Sequence, residues 1–278
     1  MMKMSRTGLV FVILLLILFL LFEILPIFWI FSNAIKGEAD ISTIPPKVFN
    51  FKPTFKNFIE GINKSHFPLK ILNSFIIAVP SVILSLLIGT MAAYGIVRLK
   101  VGGTPMLIFV IITRMLPAIV LILPIFVIFK NLKLNGTYWG LIAVYTTFLL
   151  SFVIWQMSSF LKEIPVEIEE SAIIDGCNIW QVFFRIILPL SKSGLIAVGI
   201  FCFLGAWNEY LFASILGGAQ IQTAPVALSY FVLGGLEKKI PWGVMSAGSV
   251  IALIPAFILI LIVQKQMVEG LTMGAVKG

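Results

Sequence analysis

Residues Glu163–Pro189, EIPVEIEESAIIDGCNIWQVFFRIILP, form a charged segment between two long apolar runs of the chain. Four glutamates lie before Gly176, and apolar residues recur after it at the three- and four-residue spacing of one helical face. Pro165 suits the start of a helix, and Gly176 suits the left-handed residue that ends one. The pattern predicts a helix–turn–helix at the membrane surface, with its second helix starting near Asn178. The segment contacts either a partner outside the bilayer or the lipid headgroups, and its acidic first helix favours the partner.

The rest of the chain has the composition of a membrane protein. Of its 278 residues, 60% are hydrophobic and 12% are charged, about half the charged fraction of a soluble domain. The apolar runs are continuous and reach the roughly 20 residues that span a bilayer as a helix, whereas barrel strands would alternate. We predict an all-α membrane protein with six transmembrane helices, at Leu9–Ile35, Ile71–Val97, Pro105–Phe129, Tyr138–Leu161, Leu190–Leu216 and Trp242–Val263.

Several classes of function find no support in the residue inventory. His66 is the only histidine, so a histidine metal cluster is excluded and a catalytic triad is strongly disfavoured. Cys177 and Cys202 lie in dissimilar surroundings and suggest no disulfide. The net charge of +8 is scattered over loops, which favours contact with membrane lipids over nucleic acid. The chain also has no GxxxxGK[ST] phosphate loop, so ATP hydrolysis would have to come from another chain.

The charged segment resembles the signature loop of permease subunits of bacterial ABC importers. That signature has Glu-Ala-Ala, three residues, Gly, nine residues, Ile, one residue and Leu-Pro. The chain has Glu170-Ser171-Ala172, Gly176, Ile186 and Leu188-Pro189 at those positions, and Ser171 is the one departure. The resemblance covers most of the chain and is closest to the carbohydrate-uptake, MalG-like branch, through Asn73-Ser74, Ala93-Tyr94, Arg98, Arg114, Leu116-Pro117, Trp155, Trp207-Asn208-Glu209 and Gly270–Gly278.

This resemblance implies a type I ABC importer permease fold in the bacterial inner membrane, with both termini cytoplasmic. It implies a carbohydrate pathway shared with a second permease subunit, two ATPase subunits that hold ATP and Mg, and an extracytoplasmic solute-binding protein. This chain would then carry no catalytic residue, metal or cofactor of its own. The charged segment would be the helix that couples to an ATPase, through Glu169, Glu170, Ser171, Ala172, Asp175, Gly176, Ile186, Leu188 and Pro189.

The same resemblance divides the chain into four predicted parts. Residues 1–36 hold the first transmembrane helix, and residues 37–69 form an extracytoplasmic loop. Residues 70–265 form the permease core, which includes the coupling segment 163–189, and residues 266–278 form a cytoplasmic tail.

Polar residues within the spans are candidates for the pathway. Arg114 lies roughly 15 Å along the third span, where a charge usually faces a cavity or a partner. Arg114 and Pro117 therefore form either a gate or a structural feature. In the structural alternative, Arg114 pairs with Glu23 or with a backbone carbonyl. Trp207, Asn208 and Glu209 offer stacking and hydrogen-bonding groups for a sugar, and helix packing or an outer gate is the alternative.

Two further stretches leave alternatives open. The polar stretch Gly217–Pro241 predicts irregular structure that either reaches a binding protein or only connects two spans. The tail composition alone predicts a disordered end, whereas the resemblance implies that Gly270, Thr272, Gly274 and Lys277 insert between ATPase subunits.

Other functions remain possible from the residues alone. A permease of the same architecture for another solute, such as glycerol phosphate, fits the same signature. An ion-coupled secondary carrier would need internal repeats or discontinuous spans, and it leaves the charged segment unexplained. A membrane-embedded enzyme lacks a catalytic cluster.

Overall fold

The structure is a computed structural model, and it describes residues 6–63, 66–233 and 240–275. These residues form α-helices and one π-helical turn, with no strand among them. The helices are α1 Arg6–Ala34, α2 Glu38–Ile41, α3 Lys56–Asn63, α4 Phe67–Val97, α5 Gly103–Thr113, α6 Ala118–Asn131, α7 Tyr138–Glu163, α8 Val166–Ile174, α9 Ile179–Val182, α10 Leu188–Leu190, α11 Lys192–Trp207, α12 Leu211–Leu216, α13 Ala224–Leu233 and α14 Trp242–Ala275, and the π-helical turn is Phe183–Ile187.

Four helices of the described chain are long and apolar enough to cross a membrane: Gly8–Ala34, Phe67–Val97, Tyr138–Glu163 and Trp242–Ile262. Two further candidates are pairs of helices with a sharp bend between them. Counting each pair as one span gives six, which matches the predicted number and an all-helical fold.

The third predicted span, Pro105–Phe129, is not one continuous helix. Helices α5 and α6 meet at an angle of 89° across residues 114–117. Pro117 causes the break, because a proline lacks an amide hydrogen and drives the residue before it out of the helical region. Pro124 lies inside α6 without breaking it, so only the first of the two prolines interrupts the span.

The fifth predicted span, Leu190–Leu216, also differs from the structure. A bend of 75° separates the helix that ends at Leu190 from α11, which runs from Lys192 to Trp207. The chain then leaves the helix, and Leu211–Leu216 forms the separate helix α12. Both Glu209 carboxylate oxygens accept backbone hydrogen bonds at the start of α12, from Phe212 at 2.8 Å and Ala213 at 3.0 Å.

Two predictions of irregular structure are wrong. The stretch Gly217–Pro241 contains the ten-residue helix α13, Ala224–Leu233. Two side chains of α4 bind the backbone at its start. Asn73 donates a hydrogen bond to the Gln222 carbonyl, and Ser74 accepts one from the Ala224 amide. The tail is helical up to Ala275, because α14 continues through it.

The contacts divide the chain into two units, residues 1–68 with 228–254 and residues 69–227 with 255–278. In the first unit, Asn57 caps the C-terminal end of α1 by donating from Nδ2 to the carbonyls of Ala34 at 3.0 Å and Lys36 at 2.7 Å. Glu38 accepts a hydrogen bond at 3.0 Å from the backbone of Gly243, at the start of α14. These side chains satisfy helix-end groups that would otherwise lack partners.

The second unit holds the main apolar core. Its fully buried members come from α4, α7, the π-helical turn and α11, and they include Ala78, Val153, Met157, Ile187 and Cys202. Helices α4 and α7 approach closely where Gly89 faces Val153, because a Cβ added to Gly89 would lie 2.6 Å from Val153 Cγ1. This core fixes the helices from which the signature segment Glu163–Pro189 projects.

Candidate functional site

The first half of the signature segment is the short helix α8. Pro165 occupies its N-cap position, and the helix ends at Ile174. Gly176 follows with φ +88, a left-handed conformation that glycine adopts without a Cβ penalty. The turn predicted from Gly176 is confirmed, and it directs the chain into the second helix.

The second half begins with a capping box. Asn178 accepts from the Gln181 amide at 2.9 Å, and the Gln181 side chain accepts from the Asn178 amide at 2.8 Å. The helix then widens into the π-turn Phe183–Ile187. Within the predicted apolar face, Val182, Phe183 and Ile187 are buried and Ile186 is half-buried, whereas Ile179 is half exposed.

A buried cluster at the end of α4 holds the segment in place. Glu169 is 5% exposed, and its carboxylate accepts hydrogen bonds from Tyr94 Oη at 2.9 Å and Arg98 Nε at 2.5 Å. The Arg98 guanidinium also donates to the Ile164 carbonyl at 2.5 Å, just before α8. The Tyr94 ring packs against Phe183 with centroids 5.3 Å apart. The end of α4 therefore binds both helices of the segment, and we call Tyr94, Arg98 and Glu169 the anchor cluster.

The resemblance implied that Glu169 belongs to the residues that couple to an ATPase; the structure shows it buried within this chain, and its part in coupling stays a prediction. The Glu169 carboxylate faces its own chain because Arg98 and Tyr94 surround it. Sequence reasoning also missed any role for Tyr94 and Arg98, although the Ala93-Tyr94 and Arg98 pattern belonged to the family resemblance. They lie 75 and 71 residues from Glu169 in the chain, so only the tertiary fold brings them together.

The other predicted contact residues separate into two groups. Ala172 is buried, and Ile186 and Leu188 are half-buried. The outward surface includes Glu167, Glu170, Ser171, Ile173, Ile174, Asp175, Gly176, Ile179, Trp180 and Pro189. Ile174 is 85% exposed at the tip of α8. The Ser171 hydroxyl donates to the Glu167 carbonyl at 2.7 Å, so serine in place of alanine causes no clash within this chain.

The predicted sugar-binding residues of the fifth span do not form a common site. Trp207 is 3% exposed and stacks on Phe203 with centroids 5.5 Å apart. Glu209 is bound to the start of α12, and exposed Asn208 donates to the Leu204 carbonyl at 2.9 Å. Helix packing therefore accounts for Trp207, and helix capping accounts for Glu209. This is the alternative to a sugar site that the sequence left open.

Arg114 and Pro117 lie at the break between α5 and α6. Arg114 is the C-cap residue of α5, and its guanidinium lies over the Phe152 ring at 4.6 Å from the centroid. Within the described parts of the second unit, the Arg114 side chain makes no ion pair or hydrogen bond. It lines a cleft of about 250 Å³ together with Ile111, Met115, Ser151 and Trp155.

The predicted tail residues fall partly within the structure. The backbone of Gly270, Thr272 and Gly274 belongs to α14. Lys277 lies outside the described residues. Their contact with ATPase subunits stays a prediction.

Apolar helices long enough to span a membrane, with a folded segment between two of them that exposes charged and apolar residues, indicate an integral membrane protein. Residues 85–271 match the family model described as the binding-protein-dependent transport system inner membrane component. The chain belongs to this family, and it is a permease subunit of an ABC importer in the inner membrane.

Individual proteins agree with this assignment. The chain is 35% identical to the trehalose transport system permease protein SugB of Mycobacterium tuberculosis, over 92% of this chain and 93% of the relative. It is 33% identical to the sulfoquinovosyl glycerol transport system permease protein SmoH of Agrobacterium fabrum, over 91% of this chain and 88% of the relative. A solved bacterial ABC transporter involved in import of the acidic polysaccharide alginate matches with a TM-score of 0.77 at 24% identity, covering 95% of this chain and 99% of that one. This last likeness shows that the two chains share a fold.

Proposed function

We propose that this chain and a second permease subunit form the membrane pathway for a carbohydrate. Two separate ATPase subunits hold ATP and Mg and drive the cycle, and an extracytoplasmic binding protein delivers the solute. Both termini and the signature segment then lie on the cytoplasmic side. The support for a carbohydrate comes from relatives named for trehalose and for sulfoquinovosyl glycerol, two different sugar derivatives.

The observation that carries the coupling role is the outward surface of the signature segment. Exposed isoleucines, with Ile174 at 85% exposure, lie beside exposed Glu170 and Asp175. An apolar centre with a polar rim is the anatomy of a protein–protein interface. A helix lying in lipid would not place carboxylates beside these isoleucines, since anionic headgroups repel them.

The anchor cluster gives a physical route from this surface to the spans. Glu169 is paired with Arg98, and Phe183 packs on Tyr94, so α8 and the second helix are both fixed to the end of α4. A displacement of the segment by an ATPase moves α4 because breaking a buried ion pair is costly. Closure of the ATPase subunits would thereby bias the spans between two states.

Uptake into proteoliposomes tests the proposed function. The complete transporter, with its partner permease, ATPase subunits and binding protein, is reconstituted with ATP on the ATPase side and given labelled trehalose, sulfoquinovosyl glycerol or glycerol 3-phosphate. We expect ATP-dependent uptake of a sugar derivative that stops when the binding protein is omitted.

Two outcomes would contradict the proposal. Uptake of glycerol 3-phosphate without uptake of either sugar would show that the solute is not a carbohydrate. Uptake that follows an ion gradient in the absence of ATP would show that ATP hydrolysis does not drive transport.

A further inference from the structure

An apolar groove runs along the surface of the second unit, between α4 and α11. Its volume is about 410 Å³, and all the residues that line it belong to this unit. The α4 side lies between Val79 and Leu86, and Ile83 there is 58% exposed, so the groove is open to its surroundings. The α11 side is a stripe at three- and four-residue spacing, formed by Lys192, Leu195, Ile196, Gly199, Ile200 and Phe203.

The groove has the length of one lipid tail. From Lys192 to Phe203, α11 rises about 16 Å. That distance is about half of the roughly 30 Å hydrocarbon core, or one leaflet of the bilayer. Lys192 is the first residue of α11 and comes just after the signature segment, so its end of the groove lies at the membrane surface. Phe203 then lies near the bilayer midplane, where a tail that starts at the surface ends.

The surface end of the groove carries a positive charge. Lys192 is the one charged residue among those that line the groove, and it makes no ion pair within the part of the chain that the structure describes. It also lies at the N-terminus of a 16-residue helix, where the helix dipole attracts anions. Basic pockets between spanning helices bind anionic headgroups at this depth. The charge therefore suits a lipid phosphate.

The remaining lining suits a hydrocarbon tail. Every lining residue other than Lys192 is apolar or glycine, so a hydroxylated solute in the groove would lose its hydrogen bonds to water without replacement. Gly199 keeps the middle of the groove open. A Cβ at Gly199 would lie 3.1 Å from Leu86 Cδ1, so a larger side chain there would occupy the space between the two helices.

We propose that this groove binds one anionic phospholipid, with the phosphate at Lys192 and one acyl chain lying along the groove to Phe203. The site joins the two helices attached to the signature segment, α4 through the anchor cluster and α11 through the bend at Ser191. The assignment of this lipid to the cytoplasmic leaflet rests on the proposed function, which places the signature segment on that side. The binding itself follows from the shape and charge of the groove.

Native mass spectrometry of the complete transporter measures the headgroup contact. Phosphatidylglycerol and phosphatidylcholine with identical chains are titrated against the wild type and Lys192→Gln. Lys192→Gln should weaken phosphatidylglycerol binding about fivefold, the attraction of one basic residue near the surface, and should change phosphatidylcholine binding little. Lys162→Gln is the matched control, because Lys162 is an exposed lysine at the end of α7 that does not line the groove.

A photoreactive lipid locates the acyl chain. Phosphatidylglycerol with a diazirine near the end of one chain is illuminated with the complete transporter in nanodiscs, and the adducts are mapped by peptide mass spectrometry. We expect adducts on α4 near Val79 and on α11 near Phe203. Gly199→Leu should abolish them by filling the groove. Gly205→Leu should keep them, since Gly205 is exposed on the same helix and does not line the groove.

These measurements use no solute and no nucleotide, so their outcomes are separate from those of the uptake assay. Equal phosphatidylglycerol binding by the wild type and Lys192→Gln overturns the anionic lipid. Absence of adducts near Val79 and Phe203 in the wild type overturns the site, and this result is expected if another subunit covers the groove. Equal loss of adducts in Gly199→Leu and Gly205→Leu also overturns it. A transporter that shows the expected lipid binding and imports no sugar loses the carbohydrate function and keeps the lipid site.

Discussion

Glu169 shows how a single side chain connects the signature segment to the membrane helices. Its carboxylate lies in an almost fully buried ion pair with Arg98 and also accepts from Tyr94. Glu170, its neighbour in the same helix, is exposed. The two adjacent glutamates therefore have different tasks, one holding the segment and one facing outward.

Glu169→Gln should destabilise the protein by about 3–5 kcal/mol, because it leaves Arg98 buried without its counter-charge. Glu170→Gln is the control, and it should change the stability by no more than about 0.5 kcal/mol. Thermal unfolding in detergent compares the two. Equal midpoints for both variants would show that the anchor cluster does not hold the segment.

The turn at Gly176 tests whether the backbone conformation of the segment matters. A Cβ at this position meets no atom within 4 Å, and the φ of +88 is the constraint. Gly176→Val should lose uptake, because a side chain in this conformation costs about 1–2 kcal/mol. Gly176→Asn adds a side chain in the same place but tolerates the left-handed region, so it should retain more uptake. Equal loss in both variants would assign the effect to the side chain at the surface, not to the turn.

At the scale of elements, the sequence predicted the helices better than their interruptions. The periodicity after Gly176 identified the second helix of the segment, and the long apolar runs identified α4 and α7. The bends at residues 114–117 and at Ser191 were not predicted as interruptions, because each pair of helices is together long and apolar enough to pass as one span. Helix α13 was missed because its flanking residues are glycine-rich and polar, and its start is fixed by contacts with Asn73 and Ser74.

The close contact of α4 with α7 can be tested with two glycines of the same helix. Gly89→Ala should destabilise the protein by about 1–3 kcal/mol through overpacking, since the new methyl would meet Val153 at 2.6 Å. Gly95→Ala should be neutral or stabilising by up to about 1 kcal/mol, because nothing lies within 4 Å of its added Cβ. Adding Val153→Ala to Gly89→Ala should recover part of the loss in thermal unfolding. Identical effects of the two glycine substitutions would contradict this packing.

At the scale of the whole molecule, the sequence predicted the class of protein and the position of its outward segment. The resemblance of Glu170–Pro189 to the permease signature carried this prediction. It could not show that Trp207 lies in the core or that Tyr94 and Arg98 bind Glu169, because those facts depend on contacts between distant parts of the chain. The sequence also could not show which solute is carried, because a pattern of apolar spans carries no information about the side chains that a solute would contact.

The purified chain should hydrolyse no ATP. It has no phosphate-loop motif, and we assign nucleotide binding to separate subunits. A phosphate-release assay on the chain in detergent, with the complete transporter as the positive control, measures this. Hydrolysis above background that copurifies with the chain would contradict the assignment.

The most direct test of the coupling role is a photo-crosslink from the signature segment. p-Benzoylphenylalanine replaces Ile174, the most exposed isoleucine of α8, in the complete transporter, and the same residue replaces Trp139 in the control. We predict that light joins the probe at Ile174 to an ATPase subunit, with a yield that changes between the nucleotide-free and ATP-bound states, and that the probe at Trp139 gives no such product. A probe at Ile174 that labels only lipid, or that labels the ATPase no more than the control does, would contradict the proposal that this segment couples ATP hydrolysis to transport.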